Sequence, residues 1–382
     1  MNVMDILHQA QALGMMALGF IFVLTIIVFV HEFGHFIVGR WCGVTVTTFS
    51  LGFGPELIGF TDRKGTRWRI SAVPLGGYVK FLGDATEAGG TDRAAIAELT
   101  PADRANTLAA KSVGQRAAIV AAGPIANFIL AITIFSTMFA VFGQQETMSR
   151  VDEVAVGSAA ERAGIQAGDL VVSIDGKPIA TFGELQRVVT SSHGDELTLV
   201  VERANSSITL HAVPEMKPVT RFGMTSRVPI LGITRKTTPD NIITQHYSVP
   251  QAIVAGAQKS WSVVTQTFDY VGGVFAGKDS PDQLGGPIRV AQVAGEVAGL
   301  GILPLIELAG LLSVSIGLVN LLPVPVLDGG HLLFFAFEAI RGRPLSERVQ
   351  AVGFGIGFAL VVMLMVFATG NDLLQVFRNV IG

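Results

Sequence analysis

Five residues, His31-Glu32-Phe33-Gly34-His35, carry the strongest chemical signal in the chain. On a continuous helix His31 and His35 fall one turn apart on one face, with Glu32 beside them. Two imidazoles so spaced can hold one metal ion while the adjacent carboxylate acts as a base. A helix end reaching water would accommodate the same residues without any chemistry. The preceding segment favours the metal: Leu13 to Val30 is an 18-residue stretch without a charge, about the minimum length for a membrane span. Ionisable groups at that depth are costly and usually functional.

Two histidines leave a metal short of a third ligand, which is expected at Asp328. It lies in Asn320-Leu-Leu-Pro323-Val-Pro325-Val-Leu327-Asp328-Gly329-Gly330-His331. Asp-Gly-Gly alone is commonly just a turn. Here Pro323 and Pro325 force the backbone out of helix at the end of another apolar stretch. Charge patterning then brings Asp328 to the membrane face that carries the histidines. His331 is the alternative ligand, although supporting a ligand or starting a helix suits it better. Glu307, near the outer end of the same stretch, is expected to snorkel to the interface.

Four stretches, about 13–36, 117–142, 303–326 and 351–368, are apolar enough to cross a bilayer. Residues 38–116 carry ten Lys or Arg, and the 327–350 connection carries Arg341, Arg343 and Arg348. Met1–Ala12 has none, and the tail after the last span has only Arg378. The positive-inside rule puts both connections in the cytoplasm, with the termini and the long 143–302 segment outside. The thirteen basic residues of that segment do not object, because large translocated domains escape the rule. Met1–Ala12 also lacks the basic start and small-residue cleavage site of a signal peptide.

The fold class expected is an α-helical polytopic membrane protein of about four transmembrane helices, with an inserted α+β domain and a re-entrant β-hairpin. The first span with the metal motif occupies 1–37 and a cytoplasmic segment 38–114. The second span follows at 115–143 and the inserted domain at 148–214. A linker with a membrane-surface helix fills 215–302. The third span with the third ligand is placed at 303–331, a cytoplasmic connection at 332–350, and the fourth span and tail at 351–382.

In the cytoplasmic segment, residues 68–82 read as two short apolar pieces flanking Pro-Leu-Gly-Gly, a hairpin signal. Their apolarity suits a hairpin that dips into the membrane, where irregular backbone survives only against protein or a cavity. Residues 84–110 are expected to form a loose helical connection. In the second span Pro124 removes an amide hydrogen bond and Asn127 places a carboxamide at depth. Helix packing explains Asn127 as well as function does.

The inserted domain is signalled by Gly157-Ser-Ala-Ala-Glu-Arg-Ala163-Gly164-Ile165, then Gly168-Asp169 and Asp175-Gly176. Asp175-Gly176 is a tight turn between strands; a helix is expected at 182–191, then strands at 196–202 and 207–213. This stretch resembles a PDZ domain of the protease-associated type, which takes a chain end or strand in a groove. A spacer that filters partners by bulk fits equally. Residues 215–248 read as a polar linker with one strand-like piece at 229–233. From Pro250, the residues Ile253, Ala257, Trp261, Val264, Phe268 and Val271 make one apolar stripe, suited to a membrane surface or to a core.

Composition agrees with a membrane protein: half of the 382 residues are apolar and 15% charged, with a mean hydropathy of +0.53. The net charge of −3 gives no footing for a nucleic-acid partner. Cys42, the single cysteine, excludes an intrachain disulfide and a Cys-rich zinc site.

Taken together, these motifs resemble the site-two protease family of intramembrane zinc metalloproteases, and within it the bacterial regulator-of-sigma-E branch. The resemblance is carried by His31–His35, Gly76-Gly77-Tyr78-Val79-Lys80, Gln115-Arg116, Gly123-Pro124-Ile125-Ala126-Asn127, the PDZ-like glycines, and Asn320 through His331. It implies Zn2+ on His31, His35 and Asp328, with Glu32 catalytic. It further implies substrate contacts at Asn127, Asn320 and the hairpin residues Gly76, Gly77 and Tyr78. The implied partners are membrane lipid and single-pass transmembrane substrates, anti-sigma-factor-like proteins and remnant signal peptides, in an envelope stress response. The implied location is the bacterial inner membrane, with the PDZ-like domain periplasmic. That branch commonly has two PDZ domains in tandem, and one is found here. Soluble metzincins are excluded, because Val38 and Trp41 stand where they need Gly and His.

Two other functions compete. A membrane-anchored PDZ adaptor with a structural metal is disfavoured, because structural zinc sites normally close with four protein ligands. A metal transporter is disfavoured because one span carries the paired motif and no inverted repeat is visible.

Overall fold

The computed structural model describes residues 3–86, 89–192, 194–204, 206–221, 224–235, 242–275 and 286–381. In chain order the first half runs α1 (Val3–Trp41), β1 (Val46–Thr61), β2 (Arg67–Phe81), β3 (Asp84–Thr86), β4 (Gly89–Thr91), α2 (Arg93–Glu98), α3 (Pro101–Ala105), α4 (Val113–Phe142) and β5 (Gln144–Thr147). Next come β6 (Glu153–Val154), α5 (Ala159–Arg162), β7 (Leu170–Ile174), β8 (Lys177–Pro178), α6 (Phe182–Ser191), β9 (Leu197–Arg203) and β10 (Ser206–Ala212). Four strands follow: β11 (Glu215–Arg221), β12 (Met224–Ile230), β13 (Ile233–Thr234) and β14 (Ile242–Gln245). The chain ends with α7 (Val249–Phe275), α8 (Pro287–Gly299), α9 (Ile302–Asn320), α10 (Asp328–Arg341) and α11 (Glu347–Ile381). It divides into two compact units, residues 1–135, 256–267 and 282–382, and residues 136–255 and 268–281.

Four helices are long and apolar enough to cross a membrane: Gly14–Trp41, Val113–Phe142, Ile302–Asn320 and Arg348–Leu373. The third is shorter than the expected 303–326. Pro323 and Pro325 cannot continue it, and Asp328 opens a separate helix, α10, inside the region expected to be a connection. The supposed linker also contains a helix, α8, packed on α1. A Cβ on Gly19 would sit 2.7 Å from the Ala294 carbonyl oxygen, and one on Gly295 2.6 Å from Met16 Cα. Asp372 of α11 fastens α8 by accepting from the amides of Gly286 and Arg289 at 3.0 and 3.1 Å. That carboxylate meets a helix N-terminus, where negative charge is favoured.

The sheet of this unit corrects the expected hairpin. Thr48–Leu51 pairs on one side with Arg67–Ile70 and on the other with Gly77–Lys80, and Ile58–Thr61 pairs with the outer side of Arg67–Ile70. Two long bent strands thus make a four-segment ladder, and the pieces around Pro74-Leu75-Gly76-Gly77 do not pair with each other. The tight turn lies at 62–66 instead. The Asp62 carboxylate accepts from the amides of Lys64 and Thr66, from Arg40 Nη2 at 2.6 Å and from Trp68 Nε1. Burial alone would raise the Asp62 carboxyl, but these hydrogen bonds outweigh it and hold it at about 2. Gly65 takes the positive φ of +85° that closes the loop. Residues 84–110 correct another expectation, because β3–β4 precedes the short helices there.

In the second unit, the antiparallel sheet runs β10-β9-β7-β8. Val171, Ile174, Leu199 and Val201 share its core with Leu185 and Val189 of α6. Thr181 and Glu184 cap α6 reciprocally. Asp175-Gly176 is the tight turn expected, with φ of 49° and 75°. Asp169 is fully buried and paired with Arg203 at 2.7 Å. Burial alone would raise its carboxyl, but Arg203 and the Gln166 amide outweigh it and lower it. The expected domain edge at 214 is too early: Leu231 is buried in the same core and β13 pairs with β6. The polar linker is in fact largely strand, β11 through β14.

On α7 the expected stripe divides: Val264 is buried on one face with Ala252 and Ser260, whereas Ile253, Trp261, Phe268 and Val271 are exposed.

Candidate metal centre

The centre is assembled where α1 crosses α4. Gly34 lets the backbones meet, because a Cβ there would collide with the Ala122 carbonyl. Close approach through small residues is how membrane helices commonly pack. On α4, Ile119, Gly123 and Asn127 follow at four-residue steps, one stripe facing the histidines. His35 Nδ1 donates to the Ile119 carbonyl at 2.9 Å. Asn127 Nδ2 lies 3.3 Å from His31 Nδ1. Between them Gly123 leaves room for both rings, since a Cβ would strike His35 Nε2 and lie 2.9 Å from His31 Cε1.

Asp328 arrives from the other direction as the first residue of α10. Gly329 and Gly330 are needed for close approach rather than for a turn. A Cβ on either would collide with the carbonyls of Leu321, Leu322 or Val324 as the proline segment folds back on the helix start. Arg116, in the first turns of α4, ties α10 down by donating to Glu338 at 2.6 Å and lying over Phe335.

Three ligand atoms converge as a result. His31 Nε2 and His35 Nε2 are 3.2 Å apart, and Asp328 Oδ2 lies 3.1 and 3.5 Å from them. A tetrahedral zinc ion with bonds of about 2.0–2.1 Å has ligand–ligand edges of about 3.3–3.4 Å. The triangle therefore fits one face of such a tetrahedron and leaves the fourth corner open. With the His35 Nδ1 proton on Ile119, Nε2 turns a lone pair toward the carboxylate, a pairing that a shared cation makes favourable. Among the described residues this is the one His, Cys, Asp and Glu cluster able to hold a metal.

Glu32 stands beside this triangle, close enough to interact electrostatically with His35, His31 and Asp328, and the Val79 amide acts on its carboxylate. The sheet segment Gly77–Lys80 thus runs along α1, and a Cβ on Gly77 would meet Glu32 Cγ at 3.1 Å. Gly76 has φ +116° and lies against the Phe53 ring. The Tyr78 side chain is turned inward, 6% exposed and stacked on Phe53. Asn320 is not part of the cluster. It lines an apolar cavity of about 360 Å³ with Phe20, Val23, Ile27, Ala294 and Ile316. His331 is also apart, packed at a tilt against the Phe354 ring and facing another cavity of about 600 Å³ with Arg116 and Glu338. Sequence reasoning missed the Ile119 carbonyl and the Val79 amide, because backbone groups leave no residue-type signal. The 119, 123, 127 spacing was the available clue.

Asp328→Ala should cost both bound zinc and activity, whereas His331→Ala should cost less of each. Metal content by atomic absorption beside a cleavage assay ranks the two; the reverse order would make His331 the ligand.

Two histidines from one helix, an aspartate opening another and a free glutamate beside them form the donor set of a hydrolytic zinc centre with an open position. The model described as Peptidase family M50 matches residues 19–364, and the chain belongs to that family, the site-2 proteases. The chain is 50% identical to the Agrobacterium fabrum protein named "Putative zinc metalloprotease Atu1380", over 93% of this chain and 94% of that one. A Rhizobium meliloti protein with the same descriptive name, R01501, is 48% identical over 94% and 96%. Metalloprotease MmpA of Caulobacter vibrioides is 36% identical over 94% and 95%. The protein is a zinc metalloprotease of the membrane, and the adaptor and transporter readings fall with that result.

Proposed function

We propose that this protein is an intramembrane endopeptidase that cuts the transmembrane segment of single-pass membrane proteins. The observation that carries the reading is the sheet edge Gly77–Lys80, whose Val79 amide meets Glu32 beside the three ligand residues. A membrane helix hides its amides in its own hydrogen bonds, so a substrate must unwind before a carbonyl can be attacked. A strand edge offers the unwound segment new backbone partners and lays it along the centre. Gly76, Gly77 and Tyr78 would contribute through their backbone, and Asn320 through the apolar cavity it lines.

His31, His35 and Asp328 would hold the zinc, which when bound supplies Lewis acidity and makes water nucleophilic near neutral pH. Glu32 takes a proton from the attacking water and returns it to the leaving amine. The Val79 amide orients the carboxylate for both transfers.

Several features support the setting. Leu57, Ile58, Phe60 and Ile70 are 51–71% exposed on the sheet, an apolar surface of the kind that marks membrane contact, which fits a re-entrant element. Basic residues concentrated in 38–116 and 341–348 support a cytoplasmic side for the centre, and thus a periplasmic second unit in a bacterial inner membrane. The strand order of that unit and its capped α6 support a PDZ-like module that screens substrates by groove or by bulk. Anti-sigma-factor-like proteins and remnant signal peptides are the proposed substrates.

The test uses purified protein in vesicles with labelled single-pass substrates of graded helix propensity, with and without a chelator. Cleavage should need the metal, and segments with Gly, Pro or Asn near the cut should be cut fastest, since they unwind most cheaply. Val79→Pro takes away that edge amide and the partner of Glu32 together and should slow all of them. Uncut substrate with zinc bound would overturn the reading; equal rates for strong and weak helices would overturn strand addition alone.

A further inference from the structure

We infer that Asn127 is a positioning residue for the metal centre: its side-chain oxygen accepts the Nδ1 proton of His31 and so fixes the tautomer that turns Nε2 toward the ion. This rests on the metal-centre reading and differs from a substrate-contact role. Asn127 is 0% exposed, so no substrate reaches its side chain in this arrangement. Its backbone is held as well, with its carbonyl accepting from Ser313 Oγ at 2.9 Å and Gly317 pressed against its Cβ.

The chemistry follows from proton bookkeeping at His31. An imidazole that gives its Nε2 lone pair to a metal carries its proton on Nδ1, which must then find an acceptor. The atom facing Nδ1, 3.3 Å away, belongs to the Asn127 carboxamide. With the amide nitrogen on that side, two donors face each other and Oδ1 is left buried without a hydrogen bond. Turning the planar amide over exchanges two atoms of nearly equal size and sacrifices no hydrogen bond of Oδ1. It places the acceptor on the Nδ1 proton. His35 already shows the same arrangement, with the Ile119 carbonyl accepting from its Nδ1 at 2.9 Å. α4 therefore anchors both imidazoles from behind, two turns apart, with Gly123 between them.

The experiment compares Asn127→Leu and Asn127→Asp in the full-length protein, reading zinc affinity by chelator competition, the visible spectrum of the Co2+-substituted protein, and KM and kcat at saturating zinc. Asn127→Leu keeps the shape but has no acceptor, and should bind zinc about 10–100-fold more weakly with an altered Co2+ spectrum and unchanged KM. Asn127→Asp keeps an acceptor and should hold zinc at least as tightly as the native protein. Should Leu prevent folding, Asn127→Ala carries the same expectation. Native zinc affinity in the Leu or Ala variant would overturn the inference, as would a raised KM with zinc unchanged, which marks a substrate contact. Equal loss in Asp and Leu would also overturn it, because the amide would then act as a donor. Failure of the native protein to bind zinc would instead overturn the metal-centre reading itself, and is seen in the same titration.

Discussion

Glu32→Gln should abolish cleavage while leaving zinc content, melting temperature and expression at native levels. The substitution keeps the shape of the side chain and an oxygen on the side of the Val79 amide. It removes only the ability to take up a proton. General acid–base catalysis contributes about 10²–10⁴ in rate, and in the proposed mechanism one carboxylate serves both the attack and the departure of the amine, so the loss should reach the upper end of that range or exceed it. Single-turnover cleavage of a labelled transmembrane substrate, with zinc measured on the same sample, reads the effect. Stoichiometric zinc with undiminished proteolysis would remove Glu32 from the mechanism.

The second large effect is expected from one methyl group. Gly123→Ala would put a Cβ into His35 Nε2, one of the three ligand atoms, and within 2.9 Å of His31 Cε1. Helix α4 can relieve this only by withdrawing from α1, which stretches the bond from His35 Nδ1 to the Ile119 carbonyl. Overpacking of this kind costs about 1–3 kcal/mol, equivalent to roughly 5–150-fold in zinc affinity. Chelator competition should show that loss, with activity falling in parallel at limiting zinc. Gly114→Ala is the control, because its Cβ would enter open space on the same helix and zinc binding should not change. Equal behaviour of the two variants would mean that the α1–α4 crossing does not set the site.

Much of this protein was legible in the chain itself. The His31–His35 spacing, the uncharged stretch before it and the four apolar spans are local patterns, and a helix period converts them directly into a shared face. Asp328 was legible for a different reason: Pro323 and Pro325 end the apolar stretch, and the charge pattern brings that end to the face that carries the histidines. Tertiary structure decided what depends on residues distant in sequence. The hairpin signal at Pro74-Leu75-Gly76-Gly77 is a local pattern, yet Thr48–Leu51 inserts between its two halves, and the closing turn is set by four donors converging on Asp62. Gly34, Gly123, Gly329 and Gly330 carry no chemistry of their own, and their role shows only in the backbones and rings that a Cβ would strike. The Ile119 carbonyl and the Val79 amide could not be foreseen, because every residue but proline offers the same backbone groups. Residue types and short spacings determined which atoms could bind and catalyse; the crossing of α1 and α4, the fold-back before α10 and the sheet edge beside Glu32 decided which atoms meet, because only three-dimensional packing brings a backbone group within 3 Å of a side chain 84 residues away.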